Sequence, residues 1–216
     1  MIKFDNVTAT YSNTSGIFNL SFEISAGEIV FLMGPTGSGK STVLRTIYKE
    51  INIDKGKIML DGEDISNIKQ RNIPFLRRKI GMIFQDFKLI PDRSVYENIA
   101  LPLRISGVKS KYIKEEVMEM CSKVGLKNKE KFYPLNLSGG EQQRVSIARA
   151  LIKKPSIILA DEPTGNLDPV ISDDILDIME IATDNGAAVL MATHNFPLIR
   201  PRKKRFIELN QGQRVN

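Results

Sequence analysis

With one cysteine in 216 residues, the chain cannot close an intrachain disulfide. Its fold must rest on a buried core, which a chain of this length can supply without staples. Cys121 falls in the helical pattern Ile113, Val117, Met120, Val124 and reads as a small buried hydrophobe rather than a reactive thiol, in a compartment expected to be reducing. Long apolar runs are also missing. None approaches the ~20 residues of a bilayer-spanning helix, so any membrane role must come through a partner. Met1 to Val7 alternate as a half-buried strand does and lack the apolar block of a signal peptide. There is no internal repeat and no low-complexity segment. Neither sign of charge dominates: 31 Lys and Arg against 25 Asp and Glu leave +6, which a surface of mixed sign explains as well as an anionic partner does. The one dense basic cluster, Arg200, Arg202, Lys203, Lys204 and Arg205, is interrupted by Pro201 and interleaved with no aromatics. It reads as a solvated loop rather than a nucleic-acid patch.

What the chain does have is a glycine loop around which the rest can be ordered. Gly34-Pro35-Thr36-Gly37-Ser38-Gly39-Lys40-Ser41-Thr42 follows the apolar run Ile29 to Met33 and precedes the helical pattern Val43 to Tyr48. Strand, glycine loop and helix in that order fit G-x-x-x-x-G-K-[ST]. The loop's backbone N–H groups curl round a phosphate, the helix N-terminus adds partial positive charge, and Lys40 reaches the outer phosphates. Ser41 is then placed to hold Mg²⁺ through its hydroxyl.

Around that loop, residues 2–33 read as short strands with polar turns at Tyr11 to Gly16 and Ala26-Gly27, an antiparallel flank. Tyr11 sits where an aromatic can stack on a base or simply cover the sheet, and composition leaves the two open. Lys57 to Gly62 and Lys79 to Phe84 read as strands, and Gln85 follows the second. Ligands of open α/β sheets lie at the carboxyl ends of strands, where this amide can reach a metal and an attacking water. From 86 to 155 helical periodicity takes over, punctuated by Pro91, Pro102, Gly107, Gly125 and Pro134, with Ser110 as N-cap of a helix through Val124. This is a helical subdomain, 86–155, inserted into a core of 1–85 and 156–216. The expected fold is thus a single α/β domain, 1–216, with a parallel central sheet and an N-terminal antiparallel flank.

The insertion closes with Leu137-Ser138-Gly139-Gly140-Glu141-Gln142-Gln143-Arg144. Ser138 and Glu141 have capping-box spacing, and Gly139 and Gly140 strip side chains from a helix N-terminus that is itself an anion site. Ser156 to Ala160 then form a run suited to a central parallel strand. It ends in Asp161 and Glu162, whose side chains leave on opposite faces, one toward a metal near Ser41 and one toward the water beyond the outermost phosphate. Asp168-Pro169 reads as N-cap and first residue of a helix carrying Ile171, Ile175, Ile178, Met179 and Ala182. The next strand, Gly186 to Ala192, runs into Thr193 and His194, the only histidine, which can hold a phosphate and orient Glu162.

The glycine loop, Gln85, the LSGGEQQR stretch, Asp161-Glu162 and His194, in that order over essentially the whole chain, resemble the ATP-binding cassette (ABC) ATPases. The resemblance implies an adenine-stacking role for Tyr11, a cleft loop at Gln85, catalysis by Glu162, His194, Gln85 and Lys40, and Mg²⁺ held by Ser41, Gln85 and Asp161. It also implies a head-to-tail homodimer on ATP binding, in which Ser138, Gly139 and Gly140, with Asp168 nearby, act on the nucleotide of the other copy. Within the family, Ile73 to Phe87, Arg93 to Asn98 and Leu159 to Asp168 are similar to bacterial cell-division cassettes. That likeness implies an FtsX-like integral membrane partner, room for other division proteins, and a place on the cytoplasmic face of the inner membrane. The partner's helix is expected in a groove lined by Phe87, Leu89, Ile90, Val95 and Tyr96. Lipoprotein-releasing and macrolide-exporting cassettes share several of these stretches and are the alternative. A soluble cassette acting on nucleic acid or ribosomes lacks support, since the chain has neither a long coiled coil between its motifs nor a second cassette. One departure from the family pattern is Asn195, where an acid usually follows the histidine.

Overall fold

The structure, a computed structural model, describes residues 1–12, 15–165 and 167–215. Asn13 and Thr14 of the first polar turn, and Asn166 of the turn before Pro169, lie outside the described residues. The N-terminal region folds as two long strands rather than several short ones: β1 (Ile2–Ser12) and β2 (Ser15–Ile24). They pair antiparallel, Ile2 opposite Ile24 and Phe4 opposite Phe22, through register shifts near Val7 and Ala9. Those irregularities break the alternation that marks a strand, which is why pattern alone divides the region. Their inward faces meet directly, with Phe4 and Phe22 stacked at 4.4 Å.

β3 (Ile29–Met33) is buried at every position and leads through the glycine loop into α1 (Lys40–Ile47). β4 (Lys55–Leu60) and the short β5 (Glu63–Asp64) complete an antiparallel sheet in the order β2-β1-β4-β5. After α2 (Ile73–Lys79) comes β6 (Ile80–Ile83). Three helices follow: α3 (Val95–Ile105), α4 (Ser110–Lys123) and α5 (Gly139–Leu151). α4 begins at Ser110 itself and has no side-chain cap, since Lys109 holds the capping position. Pro102 lies inside α3 instead of ending it, and the helix runs only three residues further.

β7 (Ile157–Asp161), α6 (Pro169–Asp184), β8 (Ala188–Ala192), α7 (Phe196–Ile199), β9 (Arg205–Asn210) and β10 (Gln213–Arg214) finish the chain. The second sheet runs β10-β9-β3-β8-β7-β6. Its neighbours from β9 to β6 are parallel, and only β10 is antiparallel. β3, β7 and β8 carry apolar residues without alternation because both faces are covered. Leu32, Leu159 and Leu190 face the β1–β2 side with α1. Phe31, Ile158 and Val189 face α5 and α6.

A third cluster joins Val95 and Ile99 of α3, Ile113, Val117 and Cys121 of α4, and Val145 and Ala148 of α5. Ile147 and Ala150, on the other side of α5, pack against β6 and β7, so α5 is the wall shared by the helical layer and the sheet. Burial, aided by the nearby Glu130 charge, pushes the Cys121 thiol up to about 11, which leaves it inert as a nucleophile.

In the basic segment at 200–205, Arg200, Lys203, Lys204 and Arg205 are exposed, as in a solvated stretch, whereas Arg202 is half-buried. Arg202 bonds Asp173 and Asp177 of α6 and lies 3.5 Å from Glu180, with its side chain 13% exposed. Burial works against that charge, but the bonds to Asp177 and Asp173 outweigh it and raise the pKa. Arg205 donates to Glu28 at 2.8 Å and to the Glu23 carbonyl. The acids that answer this cluster sit 22 residues or more away in the chain, so composition near residue 200 could not reveal them.

Candidate active site

An open cleft of about 970 Å³ lies along the carboxyl edge of the parallel sheet, between the glycine loop and the β1–β2 hairpin. Backbone geometry builds its floor. Gly34, Gly37 and Gly39 have φ of +141°, +82° and +103°. At Gly34 a Cβ would run into the Leu209 carbonyl and the Ser38 hydroxyl, so the turn out of β3 admits glycine only. Gly39 is the N-cap of α1 and offers no side-chain oxygen to the helix. The first N–H groups of α1 are therefore left for a ligand.

Lys40 is buried and folds back over the loop, its Nζ donating to Gly34 O at 2.7 Å and Pro35 O at 3.2 Å. Nζ also stands 3.7 Å from Glu162 Oε1. Ser41 Oγ donates to Asp161 Oδ1 at 2.9 Å. Burial pushes the Asp161 carboxyl above its ordinary range, opposed by that hydroxyl bond and by the Arg45 charge. A cation placed here would restore the ionised form. The donors, a hydroxyl and a carboxylate, are hard oxygens suited to Mg²⁺ or a similar ion. No group of three or more His, Cys, Asp or Glu side chains able to hold a metal occurs among the described residues. A cation at this site would thus share its shell with phosphate oxygens.

Glu162 follows the last residue of β7 with φ +46°, a left-handed conformation disfavoured for a side chain of this kind. Its N–H is fixed by Ala192 O at 3.0 Å. Oε1 faces His194 Nδ1 at 3.0 Å, while Oε2 is buried without a hydrogen-bond partner among the described residues. His194, with its side chain 61% exposed, reaches in from the end of β8. Asn195 behind it is the N-cap of α7: its Oδ1 accepts from Leu198 N–H at 3.2 Å, and its own N–H donates to Thr193 Oγ1. The amide at that departure from the family pattern has a local capping role.

Tyr11, Thr36, Gly37, Gly39, Lys40, Ser41, Thr42, Gln85, Glu162 and His194 all line the cleft. Gly34, Pro35, Ser38 and Asp161 adjoin these without being on the lining, and Ser138, Gly139, Gly140 and Asp168 do not line the cleft either. Ser138 caps α5 with Glu141 in a complete capping box, and Asp168 Oδ1 accepts from Val170 and Ile171 N–H at the start of α6. Sequence reasoning missed Ser15, Gly16, Phe18, Gln211 and Gln213, which also line the cleft. The Asn210-Gln211-Gly212 turn was the available signal for the last two. Gly212 N–H donates to Ser38 O at 3.0 Å and Phe18 N–H to Gly212 O at 2.8 Å, stitching the β9–β10 turn to the glycine loop and to β2.

A second, shallower groove of about 430 Å³ lies between β6, α3 and α5. Phe84, Met82 and Leu101 give it apolar surface, and Arg77, Arg78, Lys88, Arg149 and Lys153 surround them without a carboxylate among the lining residues. Of the residues expected to line a groove, Ile90 lines this one, and Tyr96 lines a separate cavity with Glu97, Met118 and Phe132. Val95 is fully buried and belongs to the third cluster, with Leu89 and Tyr96 packed against it. The chain between cleft and groove is latched at both ends. Arg149 donates to Phe87 O and Lys88 O, and the buried Asn98 amide bonds the backbone of Ile90, Arg93 and Ser94.

A glycine loop on a parallel sheet, acids at the end of β7, a histidine at the end of β8 and an antiparallel sheet folded over them define a phosphate-loop nucleotide hydrolase of the cassette type. The chain belongs to the ABC transporter family, whose pattern matches residues 17–165, and its fold is that of an ABC nucleotide-binding domain. It is an ABC ATPase and binds ATP. Among individual proteins it is similar to the cell division ATP-binding protein FtsE of Escherichia coli K12, 47% identical over 98% of this chain and 96% of that protein. It is likewise similar to FtsE of Streptococcus pneumoniae D39, 42% identical over 100% and 94%. Among solved structures it is similar to the dimeric bacterial ABC transporter cassette MJ0796, with a TM-score of 0.92 and 35% identity over 100% of this chain and 97% of that one. A post-hydrolysis dimer of MJ0796 bound to ADP and Pi matches with a TM-score of 0.91 and 34% identity over the same shares. No helix among the described residues is long and apolar enough to cross a membrane.

Proposed function

We propose that this chain is the ATP-hydrolysing subunit of a membrane complex of the FtsE kind, acting as a head-to-tail pair of copies on the cytoplasmic face of the inner membrane. Glu162 carries the reading. Its backbone is strained, its Oε1 is oriented by His194 and balanced by Lys40, and its second oxygen is buried with nothing among the described residues to bond. Such a carboxylate is prepared to accept a proton from a water. Tyr11 stacks on adenine, and the loop from Gly34 through Pro35, Thr36, Gly37, Ser38 and Gly39 to Thr42 wraps the phosphates. Lys40 exchanges the Gly34 and Pro35 carbonyls for the outermost phosphate. Ser41, Asp161 and Gln85 would hold Mg²⁺, which when bound neutralises charge on the phosphates. His194 keeps Glu162 aligned through each turnover.

We read the chain as one cassette, 1–216, with a core of 1–85 and 156–216 and a helical subdomain of 86–155. The separate cluster around Val95 and Cys121 supports that division. Ser138, Gly139, Gly140 and Asp168 serve the nucleotide of the other copy, a role supported by their absence from the lining of their own cleft. An FtsX-like membrane protein takes up the cycle, and control of septal cell-wall hydrolysis, with other division proteins, is its output. The apolar groove ringed by cations, joined to Gln85 by a segment latched at Arg149 and Asn98, supports docking of the partner's cytoplasmic helix there. The pairing of Arg202, the most buried cation of the basic segment, with Asp173 and Asp177 supports the exclusion of nucleic acid as a partner.

A Glu162→Gln protein should bind ATP and pair while turning over ~100-fold or more slowly; undiminished hydrolysis would take the base role away from Glu162. Purification from membranes checks the second half: an FtsX-like protein should accompany the chain, and recovery with no membrane protein counts against it.

A further inference from the structure

We propose that the turn between β9 and β10 gives the cleft its purine preference, with the side-chain amides of Gln211 and Gln213 meeting the edge of adenine. This rests on the reading that Tyr11 stacks on the base. The cleft is divided in character. Lys40, Glu162 and His194 crowd the end where phosphates belong, whereas Tyr11, Ser15, Gly16, Phe18, Gln211 and Gln213 form an end without a charged side chain. Both glutamines are exposed into that end.

The turn that carries them is held from two sides. Gly212 is bonded to Ser38 of the glycine loop and to Phe18 of β2. It has φ +77°, and a Cβ there would press on the Gly16 carbonyl and, at 2.8 Å, on the Phe18 ring. Gln211 itself sits at φ +47°. Glutamine has no local reason to adopt the left-handed region, where glycine and asparagine are the ordinary choices. The tethers to the glycine loop and to β2 hold the turn, and with it both amides, at the uncharged end of the cleft.

The chemistry of an amide selects among purines. Adenine sets a ring-nitrogen acceptor beside an exocyclic N–H donor, and a primary amide matches both at once. Guanine sets two acceptors on the corresponding edge, which suit arginine or lysine and leave the amide carbonyl facing a carbonyl. This end of the cleft carries neither cation.

The test is displacement of a fluorescent ATP analogue from the full chain by ATP and by GTP. Wild type should favour ATP by about tenfold, the discrimination one bidentate amide contact supplies. The Gln211→Ala/Gln213→Ala protein should bring the ratio close to one. Gln211→Gly should raise the melting temperature, because it relieves the backbone, and still lower the ratio; a purely structural turn would gain stability and lose nothing. A ratio unchanged in the double variant overturns the edge contact, whether or not both affinities fall. Tyr11→Ala separates this from the underlying reading. Stacking tolerates either purine, so that variant should weaken ATP and GTP alike. Undiminished affinity there removes the base from Tyr11 and the present proposal with it.

Discussion

Two helices in this molecule begin on glycines, and they are prepared in opposite ways. α1 starts at Gly39, in the left-handed conformation, with no side chain capping it and Lys40 curled over the loop in front. α5 starts behind Ser138, whose hydroxyl accepts from Glu141 N–H while Glu141 accepts from Ser138 N–H, and Lys129 holds the Glu141 carboxylate in turn. The first terminus is incomplete without an anion. The second is complete on its own and presents bare Gly139 to open space, with Gly140 buried against Ile171. On the proposed head-to-tail pairing, the self-capped helix persists while its ligand comes and goes with the other copy, and the uncapped one takes the nucleotide of its own chain.

That contrast can be broken at either end. The largest effect is expected from Lys40→Ala, which should weaken ATP binding by about 3 kcal/mol, roughly a hundredfold in Kd, because the phosphates lose their buried counter-charge. Titration of the isolated chain measures it, and a loss under about threefold would place the phosphates elsewhere. Gly139→Ala comes next. A Cβ there meets nothing within 4 Å, so the fold should survive. Hydrolysis at high protein concentration should fall ~10-fold or more while the ATP affinity of a single copy holds, reflecting a close approach denied to the partner's phosphate. If affinity and hydrolysis fell together, α5 would belong to its own chain's site.

Ser138→Ala should cost about 1 kcal/mol of stability through the lost cap, a drop of about 2–4 °C in melting temperature for a chain of this size. The equivalent test at α1, Gly39→Ser, has no cap to improve and should fail through crowding, since a Cβ there meets Ile17 Cγ2 at 2.9 Å. The smallest effect is with pH. Lys129 foremost, then the Ser138 N–H, holds the Glu141 carboxyl below the ordinary carboxylate range. Its contribution to stability is therefore present above that range and is lost as pH falls through the lowered value. Acid unfolding of a Lys129→Met protein should depend less steeply on pH.

These two termini also mark how far sequence reaches. The glycine loop and the capping box were legible because spacing of a few residues dictates each, and so were β7 and β8, whose apolar runs admit only a strand covered on both faces. The Arg202 contacts were not legible, because the acids of α6 become its neighbours only through the packing of α6 against the segment after α7. The register shifts of β1 hid a long strand behind broken alternation. Gln211 and Gln213 stayed silent for a related reason. A two-residue strand has no period, and only the tertiary bonds of Gly212 bring the turn to the cleft.

The position of β3 has a consequence for biosynthesis. It is flanked by β8 and β9, so the strand that launches the glycine loop finds both neighbours only after more than 170 further residues have been made, and Gly212 must then reach Ser38. Pairing over such a separation is slow and comes late. A nascent chain on the ribosome therefore carries the glycine loop from early in translation, long before the two strands that flank β3 exist to pair with it.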